Sequence, residues 1–377
     1  MSTARAAEGV PGRHDRLATL DGWRAVAILL VLADHAYESF RDVMPAGLRP
    51  SFSEAMVIST GLLGVHIFFG ISGFLITSRL LAEERRHGRI SLRAFYLRRL
   101  FRIFPAAWAF LAVMGILALV GALPISRGHW TAAILAYANY TYADRSWYLG
   151  HFWSLAVEEH FYLVWPALLI LFGTRRGTYV SGALLLLIPI WRVLDFHFQF
   201  IPAPNGLFWG RSDVNADYLA AGCLAALLLD SERVRALAQR YLVGWRWTLL
   251  AAAVLVATYA TPSNWKLTFA LVSVVVCFVP PMLIGTVIHP SFVVSRVLET
   301  RPMRWIGKLS YSLYLWQQVF LVWSPWQAPA LRGLQHFPLN VGMAFGFACL
   351  SHYLVEQPLI QVGRTLLESV ALYEGVP

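Results

Sequence analysis

The sequence predicts an all-α integral membrane protein, a bundle of about ten transmembrane helices plus a short interfacial or re-entrant helix. Of its 377 residues, 58% are hydrophobic and only 14% are charged, whereas an ordinary soluble domain is about 25% charged. The apolar residues are gathered in runs of roughly 20, the length that crosses a bilayer as a helix. Lys and Arg are concentrated in alternate loops, as expected when basic loops orient membrane helices.

The ten predicted spans follow one another with short polar gaps between them. They are residues 20–40, 57–80, 103–123, 151–172, 178–196, 212–230, 247–261, 267–288, 305–326 and 337–355. The stretch 129–140 is shorter and more polar, so we expect it to lie at the interface or to be re-entrant. We therefore expect one transmembrane domain over 20–358, a cytoplasmic N-terminal tail over 1–19 and a cytoplasmic C-terminal tail over 359–377.

The distribution of positive charge supports this topology. With the N-terminus inside, the inner segments carry about three times as many Lys and Arg as the outer ones. Both termini are then cytoplasmic. The net charge of +10 is explained by orientation in the lipid bilayer, so we expect no nucleic-acid partner.

The first span carries two polar residues that are costly in lipid, Arg24 and His35. They are 11 residues apart, which is close to three full helical turns, so they share one face with His35 about 16 Å further along the axis. One interpretation is a snorkelling arginine and a histidine hydrogen-bonded between helices. The other is that His35, deep in the membrane, acts as a base.

The second span leads into an arginine-rich segment. Arg98, Arg99 and Arg102 open the third span, either as topology anchors or as a binding site for a phosphorylated ligand from the cytoplasm, because guanidinium groups suit phosphates. Ser72 and Gly73 form a small face suited to close helix packing, and Ser72 is also a candidate ligand-binding residue.

The fourth span places Glu158 and Glu159 two to three turns into an apolar helix. Ser154, Glu158 and Tyr162 share a face, since they are four residues apart. A buried ion pair and a catalytic carboxylate are both compatible with this pattern. The ninth span reads KLSYSLYLWQQ, for which hydrogen bonding between helices is the default interpretation.

Other common chemistries lack their motifs. The sequence has no P-loop, no Gly-x-Ser-x-Gly and no metal-spaced Cys or His pair. Its three cysteines, Cys223, Cys277 and Cys349, all lie in apolar runs. We therefore expect no metal and no tightly bound cofactor.

Several motifs in order resemble the acyltransferase-3 family of membrane O-acyltransferases, which modify bacterial surface sugars, nodulation factors and macrolide antibiotics. Besides Arg24 and His35, they are GVHIFFGISGFLI (64–76), RRLFRIFP (98–105), WSLAVEEHFYLVWP (153–166), GKLSYSLYLW (307–316) and EQP (356–358). The resemblance implies a ten-helix membrane bundle in the bacterial cytoplasmic membrane. It also implies transfer of an acyl group, commonly acetyl, from acyl-CoA as co-substrate to a hydroxyl group of a polysaccharide, a lipid-linked sugar or a macrolide.

The resemblance also implies which residues act. The family's functional Arg and His of the first helix match Arg24 and His35, and its arginines after the second helix match Arg98, Arg99 and Arg102. The Glu of its WSL motif matches Glu158. We expect the arginines, with Ser72, to bind acyl-CoA, and we expect His35 as general base, Glu158 and Arg24 to form the catalytic group.

Two positions depart from the family pattern. Many relatives have Asp where this chain has His66, and His where it has Gln317, so His35 is expected to act without a second imidazole at that position. Some relatives carry a C-terminal hydrolase-like domain. Because few residues follow Glu356, we expect the membrane domain to complete the transfer itself or to hand over to a separate protein.

A function of another class fits the same polar residues. A proton-coupled transporter or a flippase would also use intramembrane Arg, His and Glu. Against it, the sequence shows no internal repeat and no pair of Gly/Pro-broken helices. Consumption of a thioester by purified protein distinguishes the two, since an enzyme needs no sealed compartment.

Overall fold

The computed structural model describes residues 15–43, 54–141, 146–201, 210–241, 253, 293–322 and 329–373. Within these ranges the chain forms helices and no β-strand. The α-helices are α1 (Asp15–Val43), α2 (Glu54–His87), α3 (Leu92–Leu119), α4 (Arg127–Ile134), α5 (Trp147–Gly150), α6 (Phe152–Phe198), α7 (Ala216–Asp230), α8 (Glu232–Tyr241), α9 (Val293–Leu298), α10 (Arg301–Phe320), α11 (Leu339–Ser351) and α12 (Gln357–Tyr373). A π-helix, His352–Glu356, joins α11 to α12, and 3₁₀-helices cover Ala138–Tyr140, Ser212–Val214 and Pro329–Leu334. The predicted all-α class is confirmed for the described residues.

Three described stretches are long and apolar enough to cross a membrane, Thr60–His87, Leu92–Leu119 and Trp147–Phe198. The third is 52 residues long and breaks at Gly173, where φ is 71° and ψ is 173°. Only glycine adopts this conformation without strain. The break yields two helical arms, which correspond to the predicted spans 151–172 and 178–196.

The remaining predicted segments are confirmed only in part or lie outside the described residues. The predicted spans 247–261 and 267–288 lie outside the described residues, residue 253 excepted, so the ten-span count stays a prediction. The predicted interfacial stretch 129–140 is a short α4 followed by a 3₁₀-turn. The predicted C-terminal tail is helical over most of its length as α12.

The outward sides of α3 and α6 are apolar. Leu119, Leu171 and Leu186 are 88%, 72% and 70% exposed, far more than a soluble helix leaves to water over such a length. Lipid is the solvent that suits these side chains. Together with the three long apolar stretches, this surface identifies the chain as a membrane protein.

The interior is organised around α2, α7 and α10. The helices α2 and α7 meet at glycines: a Cβ atom on Gly73 would lie 2.0 Å from the carbonyl oxygen of Leu219, and one on Gly222 would lie 2.0 Å from that of Gly70. The predicted close packing at Gly73 is therefore confirmed. Helix α10 packs on both α1 and α11 and carries buried polar side chains at positions 310, 312, 317 and 318.

Candidate active site

A partly open cavity of about 270 Å³ lies between α1, α2, α3, α6, α10 and the π-helix. Along α2 its lining extends from Val65 to Arg79, which is about 21 Å of helix axis. The cavity is therefore elongated, and its two ends differ in chemistry.

One end, here called the arginine end, carries the charged groups. Its cations are Arg24, Arg79, Arg99, Arg102 and Lys308, and its acids are Asp21, Glu158, Glu159 and Glu356. The density of guanidinium groups suits a ligand with several negative charges, because each guanidinium offers a planar fork of donors to phosphate oxygens.

The arginines of α3 point in different directions. The guanidinium of Arg99 lies 4.2 Å from the ring centre of Tyr162, a cation–π contact that fixes its position in the cavity. Arg102 lines the cavity as well. Arg98 instead pairs with Glu83 at 2.5 Å, with a side chain that is 45% exposed, and it does not reach the cavity.

Glu158 is held at both carboxylate oxygens. Ser72 donates to Oε1 at 2.9 Å and Tyr162 donates to Oε2 at 2.7 Å. Two donors on one buried carboxylate fix its rotamer and compensate part of its desolvation. The predicted shared face of Ser154, Glu158 and Tyr162 is confirmed, since all three line the cavity.

The other end of the cavity, here called the hydroxyl end, is lined by Val65, Phe68, Ser154 and Tyr314. The hydroxyl groups of Ser154 and Tyr314 are 2.5 Å apart. Apolar walls with a hydrogen-bonded hydroxyl pair suit the uncharged part of a ligand whose anionic part occupies the arginine end.

His35 lies just beyond the hydroxyl end rather than on the cavity wall. Its Nδ1 is 2.6 Å from Oε1 of Gln317, three residues after Tyr314 on α10 and therefore about one helical turn away. The amide oxygen accepts the Nδ1 proton, which leaves Nε2 as the basic nitrogen. The imidazole ring also meets Trp147 edge-on at 5.0 Å between ring centres. Its Nε2 lies 3.9 Å from a carboxylate oxygen of Asp34, and its side chain is 16% exposed.

The structure thus brings together most of the predicted site residues. Arg24, Ser72, Arg99, Arg102 and Glu158 line one cavity. His35 is one turn beyond it, and Arg98 lies outside it. His66, the first departure from the family pattern, is stacked on Tyr218 at 3.7 Å between ring centres and does not line the cavity.

Sequence reasoning missed other residues of the site. Arg79 and Lys308 line the cavity as well, although in the sequence they stand only among the basic residues of the predicted cytoplasmic segments. The π-helix turns both His352 and Glu356 toward the cavity, with Nδ1 of His352 3.0 Å from the Glu356 carboxylate. A π-helix is frequent at functional sites, but no periodicity in the sequence signals one. The presence of EQP among the family motifs was the available signal for Glu356.

Comparison with known proteins places the chain in a family. A family model described as an acyltransferase domain matches residues 17–355. The peptidoglycan O-acetyltransferase OatA of Listeria monocytogenes is 26% identical over 372 residues, covering 92% of this chain and 56% of the relative. The putative peptidoglycan O-acetyltransferase YrhL of Bacillus subtilis is 28% identical over 373 residues, covering 92% and 55%.

A putative O-acetyltransferase of Staphylococcus aureus strain COL is also 28% identical over 373 residues, covering 91% of this chain and 57% of the relative. The chain thus spans about half the length of the curated relatives it matches. No solved structure matches this chain. The match of the family model over residues 17–355 includes all but two of the residues that line the cavity, and the chain therefore belongs to the acyltransferase-3 family.

Proposed function

We propose that this protein is a membrane O-acyltransferase that moves an acyl group, most simply acetyl, from acyl-CoA to a hydroxyl group of a cell-envelope carbohydrate. One observation carries the proposal. A single cavity joins a cluster of guanidinium groups to a hydroxyl-lined end, one helical turn from a histidine whose Nε2 is set to take a proton. The family and the names of the relatives support acyl transfer as the class of reaction.

Acyl-CoA fits the two ends of the cavity. The phosphates of the nucleotide part bind at the arginine end, where Arg99 and Arg102 supply planar donors and Arg24 adds a third. The thin, uncharged pantetheine arm then extends along the cavity toward Ser154 and Tyr314, with the thioester carried toward His35.

His35 acts as general base in this proposal. Its Nε2 takes the proton of the acceptor hydroxyl while that oxygen attacks the thioester carbonyl carbon. The tetrahedral intermediate collapses, the C–S bond breaks, and the departing CoA thiolate recovers the proton from the His35 imidazolium. The amide of Gln317 holds the ring in the reactive tautomer throughout.

Glu158 has a supporting role at the arginine end. Its carboxylate lies among the cations that line the cavity and is fixed by Ser72 and Tyr162. It separates neighbouring guanidinium groups electrostatically and so keeps an unoccupied phosphate site from being destabilised by like charges.

The proposed topology puts the arginine end on the cytoplasmic side, where acyl-CoA is present, with both termini on that side. We expect single cysteines at 86 and 238 to be shielded from an impermeant thiol reagent in intact cells, and one at 330 to be labelled. Each single cysteine is introduced into a variant whose three native cysteines have been replaced by serine. Labelling at 86 in intact cells would place the donor site on the wrong side and overturn the orientation.

The activity is tested with purified protein in detergent, given acetyl-CoA and peptidoglycan fragments, a lipid-linked sugar or a glycosylated macrolide in turn. We expect release of free CoA thiol that depends on one of these acceptors, with acetyl recovered on its hydroxyl. Turnover with the macrolide alone would reject a cell-envelope carbohydrate as acceptor. No thiol release with any acceptor, together with substrate uptake into sealed vesicles, would make the protein a transporter.

A further inference from the structure

A second buried imidazole lies beside the proposed base. His151 immediately precedes α6, is 2% exposed, and bonds Gln318, the neighbour on α10 of the Gln317 that bonds His35. Its backbone carbonyl accepts from Ser154 at 3.1 Å and from Tyr314 at 3.4 Å, the two residues of the hydroxyl end. His151 therefore lies just beyond the same end of the cavity as His35.

The two imidazoles are held in the same manner by neighbouring residues of α10. Oε1 of Gln317 lies 2.6 Å from Nδ1 of His35, and Oε1 of Gln318 lies 2.6 Å from Nδ1 of His151. Gln318 also accepts the backbone N–H of His151 at 3.0 Å. In both rings the Nδ1 proton is donated to an amide oxygen, so in both rings Nε2 carries the lone pair.

Polar atoms in this layer are left without partners. Among the described residues, Nε2 of His151 and Nε2 of Gln317 are buried and make no hydrogen bond. Buried polar atoms are nearly always bonded, because an unmade hydrogen bond is costly. An unbonded Nε2 on His151 and another on Gln317, the residue whose amide oxygen holds the His35 ring, indicate a place for a polar ligand rather than a packed structural layer.

We propose that His151 is a positioning residue for the acyl acceptor, and that the acceptor is a polyol with two neighbouring hydroxyl groups. The inference rests on the proposed O-acyltransferase function. One hydroxyl gives its proton to His35 and is acylated. The second donates a hydrogen bond to Nε2 of His151, while the Gln317 amide donates to the thioester oxygen as negative charge develops there.

The protonation pattern selects this class of ligand. A lone pair on Nε2 of His151 requires a donor, which a hydroxyl group supplies and a carboxylate or phosphate does not. A simple alcohol satisfies only one of the two imidazoles. A sugar ring satisfies both at once, so the site favours carbohydrate over a monofunctional alcohol.

The test measures acetyl transfer from acetyl-CoA to a peptidoglycan disaccharide and to its monodeoxy analogues, with wild type and His151→Ala. In wild type we expect loss of product when the acylated hydroxyl is removed, and a rise in KM of about 10-fold to 100-fold when its neighbour is removed. In His151→Ala, KM for the intact sugar rises by a similar factor. Removing the neighbouring hydroxyl then has little further effect, and the Kd of acetyl-CoA stays unchanged.

A matched control and a fallback keep the test decisive. His160→Ala removes another imidazole of α6, one that bonds Ser212 at 2.8 Å, and we expect it to leave both KM values unchanged. If His151→Ala does not fold, wild type alone decides, since an equal KM for the sugar and for its neighbour-deoxy analogue overturns the proposal. If removing the neighbouring hydroxyl raises KM equally in wild type and in His151→Ala, the role of His151 is also overturned, while the proposed O-acyl transfer stands. Absence of thiol release by wild type with every acceptor overturns both.

Discussion

The arginine end of the cavity and the layer of His35 and His151 are built on the same two helices but in opposite ways. On α1, Arg24 faces the first and His35 the second, and on α10, Lys308 faces the first and Gln317 the second. The arginine end gathers several charges of both signs, so no single group dominates it. The imidazole layer uses neutral amides to fix each ring. In our proposal, affinity for acyl-CoA is thus distributed over many groups of the arginine end, whereas proton transfer depends on one or two imidazoles.

The largest effect is expected at the proposed base. His35→Ala should keep its affinity for acetyl-CoA and lose about 10²–10⁴ in turnover, the range for removal of a general base. Turnover per folded molecule is measured together with Tm, because a structural histidine would lower Tm and spare the turnover of the folded fraction. Turnover within a few-fold of wild type would remove His35 from the mechanism and make His151 the next base to test.

A graded effect is expected at the arginine end. Arg99→Ala and Arg102→Ala should each weaken binding of acetyl-CoA by about 1.5–3 kcal/mol, since each removes a charge-assisted hydrogen bond to a phosphate. Calorimetry with CoA measures this loss. If both variants bind CoA as wild type does, these arginines only orient the membrane domain, and the arginine end is not the binding site for the phosphates.

A smaller effect is expected where the two regions meet. Tyr314→Phe removes the hydroxyl that lies 2.5 Å from Ser154, while Ser154 keeps its bond to the His151 carbonyl. Loss of one neutral hydrogen bond costs about 0.5–1.5 kcal/mol, so we expect turnover to fall up to about 10-fold with CoA affinity intact. A loss of CoA affinity instead would show that phosphate binding extends to the hydroxyl end.

The smallest effect is expected at Arg98, which serves as the control for the other two arginines of α3. Its partner is Glu83 and its side chain is 45% exposed, and exposed ion pairs contribute about 0–1 kcal/mol. Arg98→Ala should therefore bind CoA like wild type. A loss equal to that of Arg102→Ala would mean that position along α3, rather than access to the cavity, decides phosphate binding.

Helical periodicity in the sequence predicted which polar residues of the site share a helix face. Arg24 with His35, and Ser154 with Glu158 and Tyr162, were expected to share faces because their spacings are near whole turns. The structure turns each of these faces to the interior, since polar side chains in an apolar helix must meet partners. The all-α class followed in the same way from the length of the apolar runs.

Contacts between distant segments could not be predicted in this way. Arg98 and Arg102 are also one turn apart, yet Arg98 pairs with Glu83 of α2 outside the cavity, whereas Arg102 lines the cavity. The pairing of His151 with Gln318 joins residues 167 positions apart. No local sequence pattern around either residue predicts this contact. The position of His151 in the imidazole layer is therefore known only from the structure.

The π-helix has a consequence for how the chain tolerates changes in length. A π-helical turn in a longer helix is equivalent to an α-helix that holds one additional residue, with the flanking segments in phase as if that residue were absent. Deleting one residue from His352–Glu356 would therefore leave Gly363 facing Phe101, where a Cβ atom would already lie 2.6 Å from the Phe101 side chain. The same deletion would turn either His352 or Glu356 away from the cavity. A one-residue deletion, which normally disrupts a packed helix, would here alter the lining of the cavity and spare the packing of the bundle.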